Sequence, residues 1–335
     1  MVKSYTEVHS DTNEILKKTF LDHYVLSNPE HFIHECFPDD EKWQLLLEPI
    51  TKEQFLDQDM FFPPWWRTGL KLTTHLSHRI TCDDGRITLG FMGTYESVYE
   101  LVLWYNLELV ETDLDIKIEN DNFLQKFVYL IRNESTWTCD ILFPYTGTYK
   151  LVFYAGKYGE PLLKILAVDI DCKVCHPEPM PLPINTGAIG LGPGPFMYFS
   201  GLSHPSYRSG ILHIDLSRHF QIKFRIDNRM SELISIKANV LSSEATSNHS
   251  EDYEVINELT QCCLIRRRTY KEVVIDVFPP ESPGQYILQI CTETNGYLES
   301  ETKTACYYLL IYDELPLQES HEVYILLTDE DTFRT

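Results

Sequence analysis

The chain has 335 residues, of which 43% are hydrophobic and 13% aromatic, and a formal charge of −22. That length fits two domains plus extras, and that composition excludes a largely disordered chain. The charge argues against nucleic acid, whose phosphates need a concentrated positive surface, and an anionic membrane should repel the chain.

The segment Met1 to Glu7 has no apolar signal core, and no apolar run approaches the roughly 20 residues that span a bilayer. The expectation is a cytoplasmic chain without membrane insertion, if Met1 is the native start. The nine cysteines are odd in number and lack framework spacing, which suits reduced thiols. The Asn133-Glu134-Ser135 and Asn248-His249-Ser250 matches then read as chance.

Residues 1–60 predict short helices and loops. Asn28, Pro29 and Glu30 supply a capping side chain, a proline for the first turn and an acid for the positive helix end. Thr51 with Gln54 predicts a second start of capping-box type.

From 61 to 172 the apolar period becomes two. Ile87, Leu89 and Phe91 alternate with Arg86, Thr88 and Gly90. Val98 to Leu109 predicts a longer strand carrying Trp104. Trp137, Cys139, Ile141 and Phe143 alternate again, Tyr149, Leu151 and Phe153 follow a turn at Gly147, and a strand through 162–171 closes the module. Such runs, broken by Asp-Gly and Pro/Gly turns, predict a β-sandwich.

Residues 173–195 read as a Pro/Gly linker, since prolines at this density block both helix and central strand. Ile184, Ile189, Leu191 and Phe196 still need an apolar surface, which suggests ordering against both modules. The run Gly187 to Gly194 has no following Lys-Ser/Thr and no helix start, so it reads as backbone turning and not as a phosphate cradle.

The second module spans 196–312. Phe220, Ile222, Phe224 and Ile226 alternate strictly with Gln221, Lys223 and Arg225, predicting one buried and one wet face. Val273–Phe278, Tyr286–Ile290 and Ala305–Tyr312 predict further strands, and 242–254 a polar loop. Residues 313–335 form an acidic tail whose apolar run Val323–Leu327 could add a strand to an edge.

The two modules share their punctuation. Gly-x-Tyr-x-Leu follows Phe-Pro in both, at Gly147-Thr148-Tyr149-Lys150-Leu151 and Gly284-Gln285-Tyr286-Ile287-Leu288. This resembles the tyrosine corner of immunoglobulin-type sandwiches, with Tyr149 and Tyr286 as the structural tyrosines. Leu151 and Leu288 stand where an antibody-type domain has its core cysteine, so apolar packing replaces the disulfide. The fold class expected is mainly β: two tandem immunoglobulin-like β-sandwiches after a short α-helical segment.

Few constellations point to chemistry. Cys172-x-x-Cys175-His176 has the spacing of haem attachment or of half a zinc site, but no second Cys-x-x-Cys follows, and buried thiols at a strand end are the simpler reading. Adjacent Cys262 and Cys263 face opposite sides of a strand. Cys36 lies near a helix end without a surrounding catalytic motif. Arg266-Arg267-Arg268 reads as a solvated edge, with an acidic-partner contact as the sharper alternative. Trp65, Trp66 and Arg67 are the candidate partner-binding residues, against the alternative of an aromatic plug under the first sandwich. No catalytic residue, cofactor or metal is expected.

The block from Asp22 to Ile33, with Phe37-Pro38-Asp39-Asp40-Glu41-Lys42-Trp43-Gln44-Leu45-Leu46, resembles the end of the transglutaminase-like domain in the kyphoscoliosis-peptidase family, which includes hillarin. The run Gly190-Leu191-Gly192-Pro193-Gly194 is similar to a second signature of that family, in which Trp is common where Leu191 stands. Gly201-Leu202, Pro205-Ser206-Tyr207 and Ser209-Gly210-Ile211 continue the match, with Tyr207 where a His is usual. The resemblance implies that residues 1–60 are the remnant of a transglutaminase-like domain, followed by tandem immunoglobulin-like modules. It also implies a Cys-His-Asp triad upstream of the matched block. This chain contains no Thr-Trp-Gly of the kind that carries the triad Asp, so no catalytic residue carries over. The expected function is a non-catalytic interaction module for cytoskeletal or scaffold proteins. The alternatives are the C-terminal part of a transglutaminase-like cysteine peptidase and, more remotely, an extracellular adhesive protein with oxidised cysteines.

Overall fold

A computed structural model describes residues 28–313, apart from stretches at 59, 75–76, 78, 95–96, 113–121, 217–218, 228–233, 244–255, 260–261, 270 and 296–299. The tail run Val323–Leu327, most of the polar loop 242–254, and His75 and His78 lie outside the described residues.

The segment before the sheets is helical in short pieces. Helix α1 (Pro29–Phe32) is capped by the Asn28 side chain, which accepts from the Glu30 amide at 3.1 Å. Helix α2 (Lys52–Asp57) carries a complete capping box: the Gln54 amide donates to Thr51 Oγ1 at 3.2 Å, and the Thr51 amide to Gln54 Oε1 at 2.8 Å. These reciprocal bonds satisfy two donors that a helix start leaves orphaned.

The first module contains β1 (Met60–Phe61), α3 (Trp65–Thr68), β2 (Lys71–Leu72), β3 (Arg79–Cys82), β4 (Arg86–Met92), α4 (Ser97–Glu100), β5 (Leu101–Glu111), β6 (Val128–Asn133), β7 (Thr136–Leu142), β8 (Gly147–Lys157) and β9 (Leu163–Cys172). One sheet runs β1-β9-β8-β5, with β3 also on β9, and the other runs β2-β4-β7-β6. The strand expected from Val98 begins instead at Leu101, because Ser97–Glu100 close a helical turn. Leu89 and Phe91 from one sheet meet Leu103, Tyr105, Leu151 and Phe153 from the other in a single buried core. The long edge strand β5 is partly sealed by one side chain. Gln125 accepts from the Leu107 amide at 3.0 Å and donates to the Leu107 carbonyl at 2.8 Å, standing in for a neighbouring strand.

The second module contains α5 (Pro195–Phe199), β10 (Leu202–Ser203), β11 (Ile211–Asp215), β12 (Phe220–Ile226), β13 (Ile234–Ser243), β14 (Ile256–Leu259), β15 (Cys263–Thr269), β16 (Glu272–Val277), β17 (Gly284–Asn295) and β18 (Ser300–Asp313). Its sheets run β10-β12-β16-β15 and β11-β18-β17-β13-β14. Phe220, Ile222, Phe224 and Ile226 all point into the core.

Both corner tyrosines tie back to the backbone four residues upstream. The Tyr149 hydroxyl donates to the Tyr145 carbonyl at 2.8 Å, and that of Tyr286 to the Ser282 carbonyl at 2.9 Å. Leu151 and Leu288 are fully buried.

The linker does more than turn. Leu191 forms parallel bridges to Ile131 on β6 and to Tyr307 on β18. Its amide donates to the Leu130 carbonyl at 2.7 Å, its carbonyl accepts from Arg132 at 2.8 Å, and the Gly192 amide donates to the Tyr307 carbonyl at 2.7 Å. One residue thus joins a sheet of each module. Leu191 is buried with Tyr129, Leu182, Leu241, Ile287 and Leu309, and Ile184 and Ile189 pack against this cluster shared by both modules, whereas Phe196 lies edge-on to Tyr158 instead.

The glycines around Leu191 are demanded by proximity as well as by turning. A Cβ on Gly192, whose φ is +100°, would stand 2.7 Å from the Arg132 carbonyl oxygen, and one on Gly194 would stand 2.6 Å from the Arg132 guanidinium. Arg132 is 1% exposed, with its guanidinium 5.2 Å from the Trp137 ring and one nitrogen 3.4 Å from the Leu101 carbonyl. Its other terminal nitrogen has no hydrogen-bond partner among the described residues. Burial pushes the group down to about 9, the signature of a charge poorly compensated for lost water.

Candidate interaction surface

Trp65 and Trp66 are neighbours on one turn of α3, so they point in different directions. Trp65 is 4% exposed and packs between Phe61, at a centroid distance of 4.5 Å, and Phe91, at 6.3 Å. It belongs to the core of the first module. Trp66 is half-buried beneath His31, whose ring stacks on it at 3.9 Å and 6°. Its indole nitrogen is buried with no hydrogen-bond partner among the described residues. Arg67 is exposed. Of the three candidate residues, Trp65 offers no face to a partner, and Trp66 and Arg67 reach the surface in part and in full.

A more open apolar surface lies nearby, at the end of the Phe37–Leu46 block that carries the family resemblance, where nothing in the motif marks it as a contact surface. Gln44 is 5% exposed. Its side-chain amide donates to the Ile50 carbonyl at 2.9 Å and accepts from the Ile50 amide at 2.8 Å. This double bond closes the loop 44–50 around Gln44. The apolar residues on either side turn outward: Trp43 is 66% exposed, Leu45 70% and Leu47 100%. Leu45 holds a left-handed backbone, with φ of 54°, a conformation that costs a branched residue about 1 kcal/mol or more. The one sequence signal was the lack of periodicity: apolar residues in an irregular polar stretch have no face to bury.

The groups with chemical potential are quiet. Burial and the neighbouring Glu35 raise the Cys36 thiol above its ordinary value, opposite to what a nucleophile needs. Cys262 and Cys263 are both partly exposed. Arg266 is not a free cation: its guanidinium donates twice to Asp276, each at 2.6 Å. Among the described residues no group of three or more His, Cys, Asp or Glu side chains could hold a metal ion. No helix among them is long and apolar enough to cross a membrane.

Sandwiched sheets, paired corner tyrosines and leucines at the disulfide positions define a mainly β protein with immunoglobulin-like architecture. Residues 52–183 match the family described as KY-like, immunoglobulin-like domain. The chain is 24% identical over 295 residues to hillarin of Drosophila melanogaster, covering 85% of this chain and 34% of that protein. It is 24% identical over 317 residues to Lim and transglutaminase domain protein ltd-1 of Caenorhabditis elegans, covering 91% and 41%. It is 23% identical over 277 residues to the mouse kyphoscoliosis peptidase, covering 82% and 37%. The chain is thus similar, at low identity, to the hillarin and kyphoscoliosis-peptidase proteins, and its residues 52–183 match the KY-like, immunoglobulin-like family model. It spans between a third and about two fifths of the length of these relatives.

Proposed function

We propose that this chain is a non-catalytic, cytoplasmic protein-interaction module for cytoskeletal or muscle-structural proteins. The observation that supports it most is the loop held by Gln44, which keeps Trp43, Leu45 and Leu47 in water. Adjacent exposed large apolar residues are costly to keep, and they mark contact surfaces more often than chance. The cytoskeletal part of the reading comes from the family resemblance. The test is affinity capture from muscle lysate at physiological salt with the wild-type chain and with Leu47→Asp. The reading expects cytoskeletal proteins captured by the wild type and lost from the variant, with equal thermal stability. No cytoskeletal protein above background, or equal capture by both chains, overturns it.

A second reading is favoured by the short span of the match to relatives named as a peptidase and a transglutaminase-domain protein. On that reading the chain is the C-terminal part of a transglutaminase-like cysteine peptidase. Cys, His and Asp-x-Thr-Trp-Gly motifs in frame upstream of Met1 would support it, and their absence from the genomic sequence would remove it.

A further inference from the structure

The Cys172-x-x-Cys175-His176 motif has no role in either reading, yet the fold gives Cys172 a specific neighbour. Strand β3 runs parallel to β9, and the register sets Cys82 directly opposite Cys172. Both side chains are 2% exposed and lie in the same core, so they leave the sheet on the same face. Paired strands are about 4.8 Å apart, inside the window of about 4.4–6.8 Å between Cα atoms that a disulfide needs. Each thiol is close enough to the other to affect its ionisation. Cys172 Sγ also donates to the Val174 carbonyl at 3.2 Å, and Cys82 Sγ to the Arg86 carbonyl at 3.6 Å.

The surrounding chain holds this arrangement. The Lys173 amide donates to the Cys82 carbonyl at 2.8 Å, and the Phe143 amide to the Gly85 carbonyl at 2.8 Å. Gly85 has a φ of +75°, and a Cβ there would overlap the backbone of Cys175 and His176. The β3–β4 turn is thus pressed against the Cys-x-x-Cys loop. Cys175 is half-buried.

We propose that Cys82 and Cys172 form a reversible dithiol–disulfide site, closed by a peroxide, that fastens the edge strand β3 to β9. In the first step one thiolate attacks a peroxide oxygen. The O–O bond breaks, a sulfenic acid forms, and the departing hydroxide takes up a proton as water. The second thiolate then attacks the sulfenic sulfur, forms the S–S bond and expels a second hydroxide, again protonated to water. Overall, two thiols are oxidised and one hydrogen peroxide is reduced to two waters.

Burial raises both thiols, Cys172 to about 12, so the resting pair is protonated and reacts slowly. Reaction proceeds when β3 lifts. That opening is local, because β3 is a strand of four residues whose ladder partner among the described residues is β9.

The test is hydrogen peroxide treatment of the folded full chain, alkylation of the remaining thiols, and peptide mapping by mass spectrometry. The expected product is a Cys82–Cys172 linked peptide, reversed by dithiothreitol. The unfolding midpoint should rise by about 5 °C, since the bond closes a long loop. Cys175→Ser should keep the link, and Cys82→Ser should lose it. The wild-type map decides the matter even if Cys82→Ser fails to fold. A Cys172–Cys175 link, oxygenated sulfur without a cross-link, or unreacted Cys82 and Cys172 under peroxide that oxidises the urea-unfolded chain would overturn the proposal.

Discussion

Gly210 lies so close to Leu191 that a Cβ on the glycine would overlap the leucine carbonyl group. The Leu309 amide donates to the Gly210 carbonyl at 2.8 Å, so neither backbone can retreat freely. Gly210→Ala should therefore disturb the bridges through Leu191 and cost about 1–3 kcal/mol. Thermal unfolding followed by near-ultraviolet circular dichroism should show a lower midpoint, with Tyr129 and Tyr307 at the junction altered. An unchanged melt would show that the bridges yield without cost.

Arg132 separates packing from charge. Replacing it with methionine keeps most of its volume and removes an uncompensated buried cation. Arg132→Met should be close to neutral or stabilising. Arg132→Ala should leave a hole against Trp137 and Gly194 and lose about 2–4 kcal/mol. Urea denaturation of both variants measures the difference, and equal losses would contradict the assignment of the cost to the charge.

Asp276 gives a pH prediction. Burial alone would raise this carboxyl, but the hydrogen bonds from Arg266 and Gln221 outweigh it and hold the group below its ordinary value. A carboxyl lowered by folding adds stability above its unfolded value of about 4, and loses it as pH falls through the lower folded value. Asp276→Asn should thus be less stable than the wild type at pH 7, with the gap narrowing below about pH 4. Urea midpoints at pH 7 and pH 3 report this, and a gap that widens in acid would reverse the sign.

The corner tyrosines should each be worth about 1 kcal/mol through their hydroxyls. Tyr149→Phe and Tyr286→Phe keep the rings and lose the bonds to Tyr145 and Ser282. The Tyr286 hydroxyl also lies 3.1 Å from Ser282 Oγ, so its removal leaves a second partner to water. Chemical denaturation should show both variants folded and weakened, and a loss above about 3 kcal/mol would point to ring packing instead.

Much of this fold is readable from local residues. Asn28 and Thr51 cap helices because the chemistry of a cap is local. The alternation in β12 survives because one face of that strand is buried and the other wet. The junction was half-readable. Leu191 needed an apolar surface, yet its prolines and glycines argued against pairing. That pairing depends on Gly210, far along the chain, and on β18, farther still. Trp65, Trp66 and Arg67 allow a contact surface or an aromatic plug, and one helical turn sends the Trp65 ring into the core as a plug while Arg67 stays exposed. The exposure of Trp43 and Leu47 depends on the bond between Gln44 and Ile50, which no periodicity announces.

Backbone bonds on both sides of Leu191 fasten a sheet of each sandwich to the same short segment. A force that draws the sandwiches apart would have to break those bonds before either sheet could leave the other, so the proline-rich segment acts as a clasp.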